Sequence, residues 1–399
     1  MQIKSPVLYI EINNLNYIFF VGNVSENEEL KLIDKINIPI RGFKNKKPVD
    51  FDAITEIIKN NIFILEQKFN LVFREVILLI DNFDCSILNY TGFKNLNGSQ
   101  LTKENITYIL NSLKSKVSEF EENKKILHIF NSKFLLDKKN IENIPIGLFG
   151  NFYSHELSFF LIDKNDYKNL KNLFEGCNLK IRNIVSKKFV EGAQLINTNE
   201  NLDTFFQIEI NETSSQIFFF ENYALRFFQD FEFGSDIIIN DISKIAALKN
   251  NIVKDILLTS NFSENNLETN YIEKHYFNEQ NYRKINKKLF LDVADARIQE
   301  LAEIIISKNV NVLNYFQKKA PIFLRVSDIS CSKLFNISFK THFSNKQTNG
   351  EIKFIKALEY ESFLNNAYKI VQFGWKKEAV PVVQEKKSLI ARVFDFIFN

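Results

Sequence analysis

Cysteine, histidine, proline and glycine are all scarce in this chain of 399 residues. The three cysteines (Cys85, Cys177, Cys331) are far apart and odd in number, which excludes a disulfide framework and a cysteine metal cluster. The four histidines (His128, His155, His275, His342) show no ligand spacing with one another or with cysteine. Six prolines and eleven glycines stand against abundant Phe, Ile, Asn and Lys, the bias of an AT-rich genome, so runs of Asn and Lys say little about function. No run of about 18 apolar residues exists, so nothing is expected to span a bilayer. The opening MQIKSPVLYIEI runs straight into a strand pattern and lacks a signal-peptide stretch, which points to a cytosolic location. A net charge of +3, without a basic stripe interleaved with aromatics, excludes a nucleic-acid partner.

What is present is an ordinary globular composition, 45% hydrophobic and 25% charged, long enough for two or three domains. One word occurs twice. The stretches YIEINNLNYIFFVGN and QIEINETSSQIFFFEN each read as a strand, a polar turn and a second strand. Asn accepts positive φ and bonds its own backbone, so Asn13–Asn14 and Asn211–Glu212–Thr213–Ser214 are credible turns. A hairpin opening each half of an α/β chain predicts a duplicated, ribonuclease H-like two-domain fold of the actin and Hsp70 type. The alternative is coincidence in an Ile/Asn/Phe-rich sequence.

In that architecture a hairpin from each half grips ATP, with Gly and Thr at the turn after an Asp that organises Mg²⁺. Here Glu11 and Glu209 take the Asp positions, and Asn residues replace the glycines. The two glutamates are therefore either a loose Mg²⁺ site or solvated wall residues.

Periodicity places further elements. A helix starts near Asp50 or Asp52, with Ile54, Ile57, Ile58, Ile62 and Leu65 on its apolar face; Val76–Ile80 is a strand. Thr102 caps a helix faced by Ile106, Ile109, Leu110, Leu113 and Val117. A short helix from about Asp166 to Phe174 should end at Gly176 in a left-handed cap, and another covers Lys187–Ile196. A long helix is expected over roughly 284–318.

In this order the motifs resemble the FtsA family of bacterial cell-division proteins, which are actin relatives, across nearly the whole chain. IRGFKNKKPVDFDAITEIIK resembles the family's S-R-G segment and helix. LHIFNSKFLLD…NIENIPIGLFGN resembles the pattern of the family's inserted subdomain, keeping Asn143, Pro145, Gly147 and Gly150. FGSDIIINDISKI is similar to the G-G-x-x segment, with Gly234 kept and Ser235 for the second glycine; VADARIQELAEII retains Arg297 and Glu300. Arg325–Val326–Ser327–Asp328 stand where the family has T-G-G.

The resemblance implies a first actin-like domain (1–75, resumed at 164–199) and an inserted α+β subdomain (76–163). It further implies a second domain (200–349, its outer part 236–290), a return to the first (350–375), a polar linker (376–387) and a membrane helix (388–399). It also implies a Mg²⁺–ATP site at Glu11, Asn13, Asn14, Glu209, Asn211, Thr213, Ser214 and Gly234, but all three nucleotide loops are eroded together. No ATPase activity is expected.

The tail KKSLIARVFDFIFN sets Leu389, Ile390, Val393, Phe394, Phe396, Ile397 and Phe398 on one helical arc, with Ser388, Arg392, Asp395 and Asn399 opposite. Such a segment docks on its own domain, fills a partner's groove or lies in a membrane interface. FtsA ends in a membrane-targeting helix, so the resemblance favours anionic inner-membrane lipid. At about 1 kcal/mol per partly buried side chain, less the cost of ordering, one tail binds weakly. An array of protomers binds tightly through effective concentration.

The resemblance thus implies a peripheral protein on the cytoplasmic face of the inner membrane at the division site. Its partners would be itself in a filament, other division proteins and the C-terminal peptide of FtsZ. The family's peptide site maps onto YRKINKKLFLDVADAR, where Arg283, Lys287, Lys288 and Arg297 either attract acidic residues or form a solvated basic face. A PilM-type pilus-assembly protein shares the expected fold. An actin-superfamily ATPase or sugar kinase is the alternative of another class, and the missing Gly/Thr/Asp set argues against it.

Overall fold

The first hairpin joins Val7–Ile12 (β1) to Asn16–Val24 (β2) and is closed by the pair Ile12–Tyr17. The computed structural model describes residues 6–379, except Asn45, Asn82, Asn261, 263–269, 278–280, 317–319, 344–350 and Ala357. The expected membrane helix (388–399), and the linker beyond Ala379, lie outside the described residues.

After the hairpin come Leu30–Pro39 (β3), a small ribbon of Phe43–Lys44 (β4) and Lys47–Pro48 (β5), and the helix Phe51–Phe69 (α1). Asp50 caps α1, its Oδ1 accepting from the Ala53 N–H at 3.0 Å, and Asn70 ends it in the left-handed region at φ 49°. Glu75–Ile80 (β6) then enters the sheet beside β1.

A second sheet begins with Cys85–Asn95 (β7). Lys103–Phe120 (α2), Lys124–Leu136 (β8), Lys139–Ile141 (β9) and Phe152–Asp163 (β10) complete it, in the order β7-β10-β8-β9. Thr102 caps α2 in a reciprocal box with Asn105. Ile109, Leu110, Leu113 and Val117 cover a sheet face built from Phe134, Tyr153, Leu157 and Phe159.

The chain returns through Lys164–Gly176 (α3) and Lys180–Ser186 (β11) to Lys187–Thr198 (α4). The first sheet is ordered β11-β6-β1-β2-β3, with β1, β6 and β11 parallel and β1, β2 and β3 antiparallel. Apolar residues from β1 and β2 pack on Ile54, Ile58, Ile62 and Leu65 of α1 and on Leu170, Leu173 and Phe174 of α3. Trp375, the last residue of the expected return, and Glu378 and Ala379, in the expected linker, are anchored in this unit. Lys377 O accepts from Asn131 N–H at 2.7 Å, and Ala379 N–H donates to Ile129 O at 2.7 Å.

The second unit repeats the design. Phe205–Ile210 (β12) and Ser215–Glu221 (β13) form its hairpin, followed by Ala224–Phe231 (β14). Helices Asp236–Ala246 (α5), Asn250–Thr259 (α6), Lys287–Ala302 (α7) and Val310–Phe316 (α8) precede Ile322–Val326 (β15). Ile329–Phe343 (α9) and Ile352–Phe354 (β16) follow in this unit, and most of Tyr360–Phe373 (α10) belongs again to the first. The sheet order is β14-β13-β12-β15-β16, with β12 parallel to β15 and β15 to β16. Strand for strand this is the connectivity of the first sheet. The repeated word therefore marks a duplication.

Several expected details change. By compactness, residues up to Val190 with those from Leu364 onward form one unit, and Glu191–Phe363 the other. β6, counted with the inserted subdomain, lies in the first sheet, and β16, counted with the return, pairs in the second. Gly176 remains helical; Asn178, at φ 58°, is the left-handed residue after α3, because a short amide side chain tolerates that region. The long helix over 284–318 is broken: Glu303–Ser307 is a π-turn, with Lys308 N–H reaching Glu303 O at 2.7 Å.

Candidate functional site

Each unit carries its own candidate site, built from its hairpin turn and the residues beside it.

In the first unit, neither Asn13 nor Asn14 takes positive φ; the turn is made by a side chain instead. Asn13 Oδ1 accepts from the N–H groups of Leu15 (3.0 Å) and Asn16 (2.8 Å), while Asn13 N–H donates to Asn16 O at 3.1 Å. The amides of Asn13, Leu15 and Asn16 are thus spent inside the turn.

Glu11 is buried at 0% exposure, so it is no solvated wall residue. Its Oε1 accepts from Asn13 Nδ2 and from Lys187 Nζ, each at 2.8 Å. Lys187 Nζ also lies 3.7 Å from Asp81 Oδ2, and Lys188 Nζ donates to Asp81 Oδ1 at 3.1 Å. Burial would push the Asp81 carboxyl up, but the Lys188 and Lys187 ammoniums outweigh it and hold it down at about 2. Asp81 follows the C-terminal end of β6 and the lysines open α4 just after β11, so parallel strands bring three distant segments to one sheet end.

In the second unit Glu209 is buried as well. Its Oε1 accepts from Gln207 Nε2 at 2.9 Å and from Arg325 Nη1; its Oε2 accepts from Gln216 Nε2 at 2.5 Å. Arg325 Nη1 also donates to Glu191 Oε2 at 3.0 Å. Burial works against the Arg325 charge, and the Glu209 and Glu191 carboxylates outweigh it, raising its pKa above the usual guanidinium value. Register places Arg325 directly beside Glu209 on parallel strands.

The turn itself plugs a helix. Asn211 O accepts from Ser235 N–H and Glu212 O from Asp236 N–H, both at 2.9 Å, so carbonyls fill the N-terminal end of α5. Thr213 is exposed at the turn tip, and Ser214 O accepts from Asn211 N–H at 2.8 Å. Gly234 is required by space: a Cβ there would stand 2.2 Å from Asn211 O and 2.3 Å from Glu212 O. Ser327 Oγ donates to Asn211 Oδ1 at 2.8 Å. Asp328 caps the start of α9 through Ser330 N–H (2.9 Å) and accepts from Ser235 Oγ at 2.8 Å. The residues standing for the T-G-G loop are thus structural ties.

The basic set expected to face a peptide gathers around α5 and the start of α7. Arg283 donates to the α5 carbonyls of Ala246 (3.0 Å) and Ala247 (2.9 Å). Lys287 is buried, 3.5 Å from Glu273 Oε1; Lys288 is exposed. Arg297 is bound to Asp241, at 2.7 Å from its Nε, and to Glu300. The retained Arg297 therefore ties α7 to α5 through Asp241, and Glu300 holds its guanidinium from within α7. A cavity of about 1190 Å³ opens elsewhere in the first unit, lined by Lys59, Arg74, Tyr167 and Arg182, and no hairpin-turn residue borders it.

Lys187, Lys188, Asp81 and Glu191 escaped the motif reading. A signal existed in Arg325, a lone charge in the apolar strand PIFLRV, and in a lysine pair opening a helix. Among the described residues no group of three or more His, Cys, Asp or Glu is arranged to hold a metal.

Two sheets of one topology, each with a hairpin at its centre, define an actin-like fold. A solved PilM–PilN type IV pilus biogenesis complex shares it, at TM-score 0.53 and 11% identity, over 92% of this chain and 96% of that chain. No family model matches the chain. Among curated proteins it is similar to cell division protein FtsA of Buchnera aphidicola subsp. Schizaphis graminum (strain Sg), 21% identical over 374 residues, covering 91% of this chain and 87% of that protein. FtsA of Buchnera aphidicola subsp. Baizongia pistaciae (strain Bp) is 22% identical over 326 residues, 80% of this chain and 76% of that protein. These matches fit a divergent FtsA, as the motifs had indicated.

A Mg²⁺–nucleotide is the ligand that an actin-like fold implies. The residues here do not fit it: both candidate metal carboxylates are bonded to basic side chains, and the N–H groups of Asn13, Leu15, Asn16, Asn211, Ser235 and Asp236 go to carbonyls or to the Asn13 side chain.

Proposed function

We propose that the chain is a non-catalytic cell-division protein that tethers FtsZ filaments to the cytoplasmic face of the inner membrane. The similarity to FtsA along 91% of the chain carries this reading. The apolar arc Leu389–Phe398 supplies a lipid anchor in sequence pattern, and self-association of an actin-like head supplies the multiplicity that a weak anchor needs. ATP hydrolysis has no part in it. Phosphoryl transfer depends on positioned metal and donors, and these side chains are committed to one another.

The acidic peptide of FtsZ would meet the second unit near the start of α7. Arg283 and Lys288 are exposed there and add to the local field, whereas Lys287 and Arg297 hold the helix in place. Other division proteins and anionic lipids complete the expected partners. The PilM reading has the fold likeness behind it, and the C-terminal apolar arc favours the tether.

A pull-down on an immobilised FtsZ C-terminal peptide tests the reading. The full chain should be retained and an Arg283→Glu/Lys288→Glu variant released. Failure of the unaltered chain to bind rejects FtsZ as the partner.

A further inference from the structure

Both units show the same arrangement of charge: a carboxylate, a basic side chain, a carboxylate. In the first, Lys187 Nζ stands between Glu11 Oε1 (2.8 Å) and Asp81 Oδ2 (3.7 Å). In the second, Arg325 Nη1 stands between Glu209 Oε1 and Glu191 Oε2 (3.0 Å from the latter). Each bridging cation comes from a part of the chain more than a hundred residues away from its hairpin glutamate. Two carboxylates about one cation is the electrostatic pattern of a divalent-metal site. A Mg²⁺ ion demands oxygen donors at ~2.0–2.1 Å, whereas here Oε1 of Glu11 and Oε1 of Glu209 accept from a side-chain ammonium and a guanidinium.

We propose that Lys187 and Arg325 are resident cations that take the place of a divalent metal at the two hairpins, so that the folded head depends on neither metal nor nucleotide. The inference deepens the non-catalytic reading above and rests on it. The hairpin glutamates then need no bound metal to balance their charge. Removing one partner of such a buried pair leaves the other uncompensated.

The test is thermal unfolding of the full chain in EDTA, then with millimolar Mg²⁺, then with Mg²⁺–ATP. The unaltered protein should melt at one temperature in all three. Lys187→Met should melt about 6–15 °C lower in EDTA and recover part of that loss with Mg²⁺, while Lys187→Arg stays near the parent. If Lys187→Met does not fold, the Glu11→Gln/Lys187→Met pair, which removes both charges, should. Arg325→Met should be destabilised and Arg325→Lys less so.

A parent protein stabilised by Mg²⁺ or Mg²⁺–ATP overturns the inference. So does a Lys187→Met protein that melts with the parent, one that ignores Mg²⁺, or an unfolded double variant. Loss of peptide capture would sink the tether and leave these melting shifts untouched, so the two failures are distinguishable.

Discussion

Replacing Gly234 with alanine separates a packing role from a ligand-binding one. The new Cβ would stand 2.2 Å from Asn211 O and 2.3 Å from Glu212 O, both backbone atoms that no rotamer change can move. Those two carbonyls also accept from Ser235 and Asp236 N–H at 2.9 Å, so relief of the clash breaks the plug on α5. Overpacking costs ~1–3 kcal/mol, and two lost backbone bonds add ~1–3 kcal/mol. The melting midpoint should fall by about 5–15 °C. Calorimetric or fluorescence melting of the full chain reads this directly. Gly176→Ala is the matched control, since its Cβ meets nothing within 4 Å in the last turn of α3, and it should be neutral or slightly stabilising. If Gly234→Ala melts with the parent, the turn is not wedged against α5, and the account of its glycine is wrong.

Other expectations concern pH, lipid and nucleotide. Burial lowers the His155 pKa to about 4, where its ring nitrogen Nε2 donates to Asn131 Oδ1 at 2.8 Å. The unfolded chain, at about 6.5, takes the proton first, so this contribution is intact above pH ~6.5 and fades towards pH 4, on the order of 3 kcal/mol in all. Urea titrations across that range should show the slope flattened in His155→Gln; an unaltered slope assigns it to another group. Ile397→Asp should abolish co-sedimentation with anionic vesicles while leaving the melting temperature unchanged, and an equal vesicle affinity would refute the proposed apolar arc. Titration calorimetry with Mg²⁺–ATP should give no micromolar isotherm, and a clear one would overturn the reading of these loops as unfit for nucleotide.

Local rules read much of this fold. Asp50 and Thr102 cap the helices their spacing announced, and the face of α2 is the one its periodicity gave. The repeated IEIN word marked two hairpins whose sheets share one strand order. What stayed hidden is long-range. Lys187 meets Glu11, and Arg325 meets Glu209, only because parallel strands bring their ends together; no spacing in the sequence encodes either pair. The break after Ala302 was equally hidden, since a π-turn keeps the apolar pattern of a helix. Docking of Lys377 and Ala379 against β8 likewise left no mark in a stretch that reads as polar linker.

The central claim is a physical bridge between filament and lipid. Fluorescent FtsZ polymers should collect on anionic supported bilayers in the presence of the full chain. They should stay in solution when residues 388–399 are deleted. Equal recruitment by the truncated chain, or none by the intact one, would contradict the account.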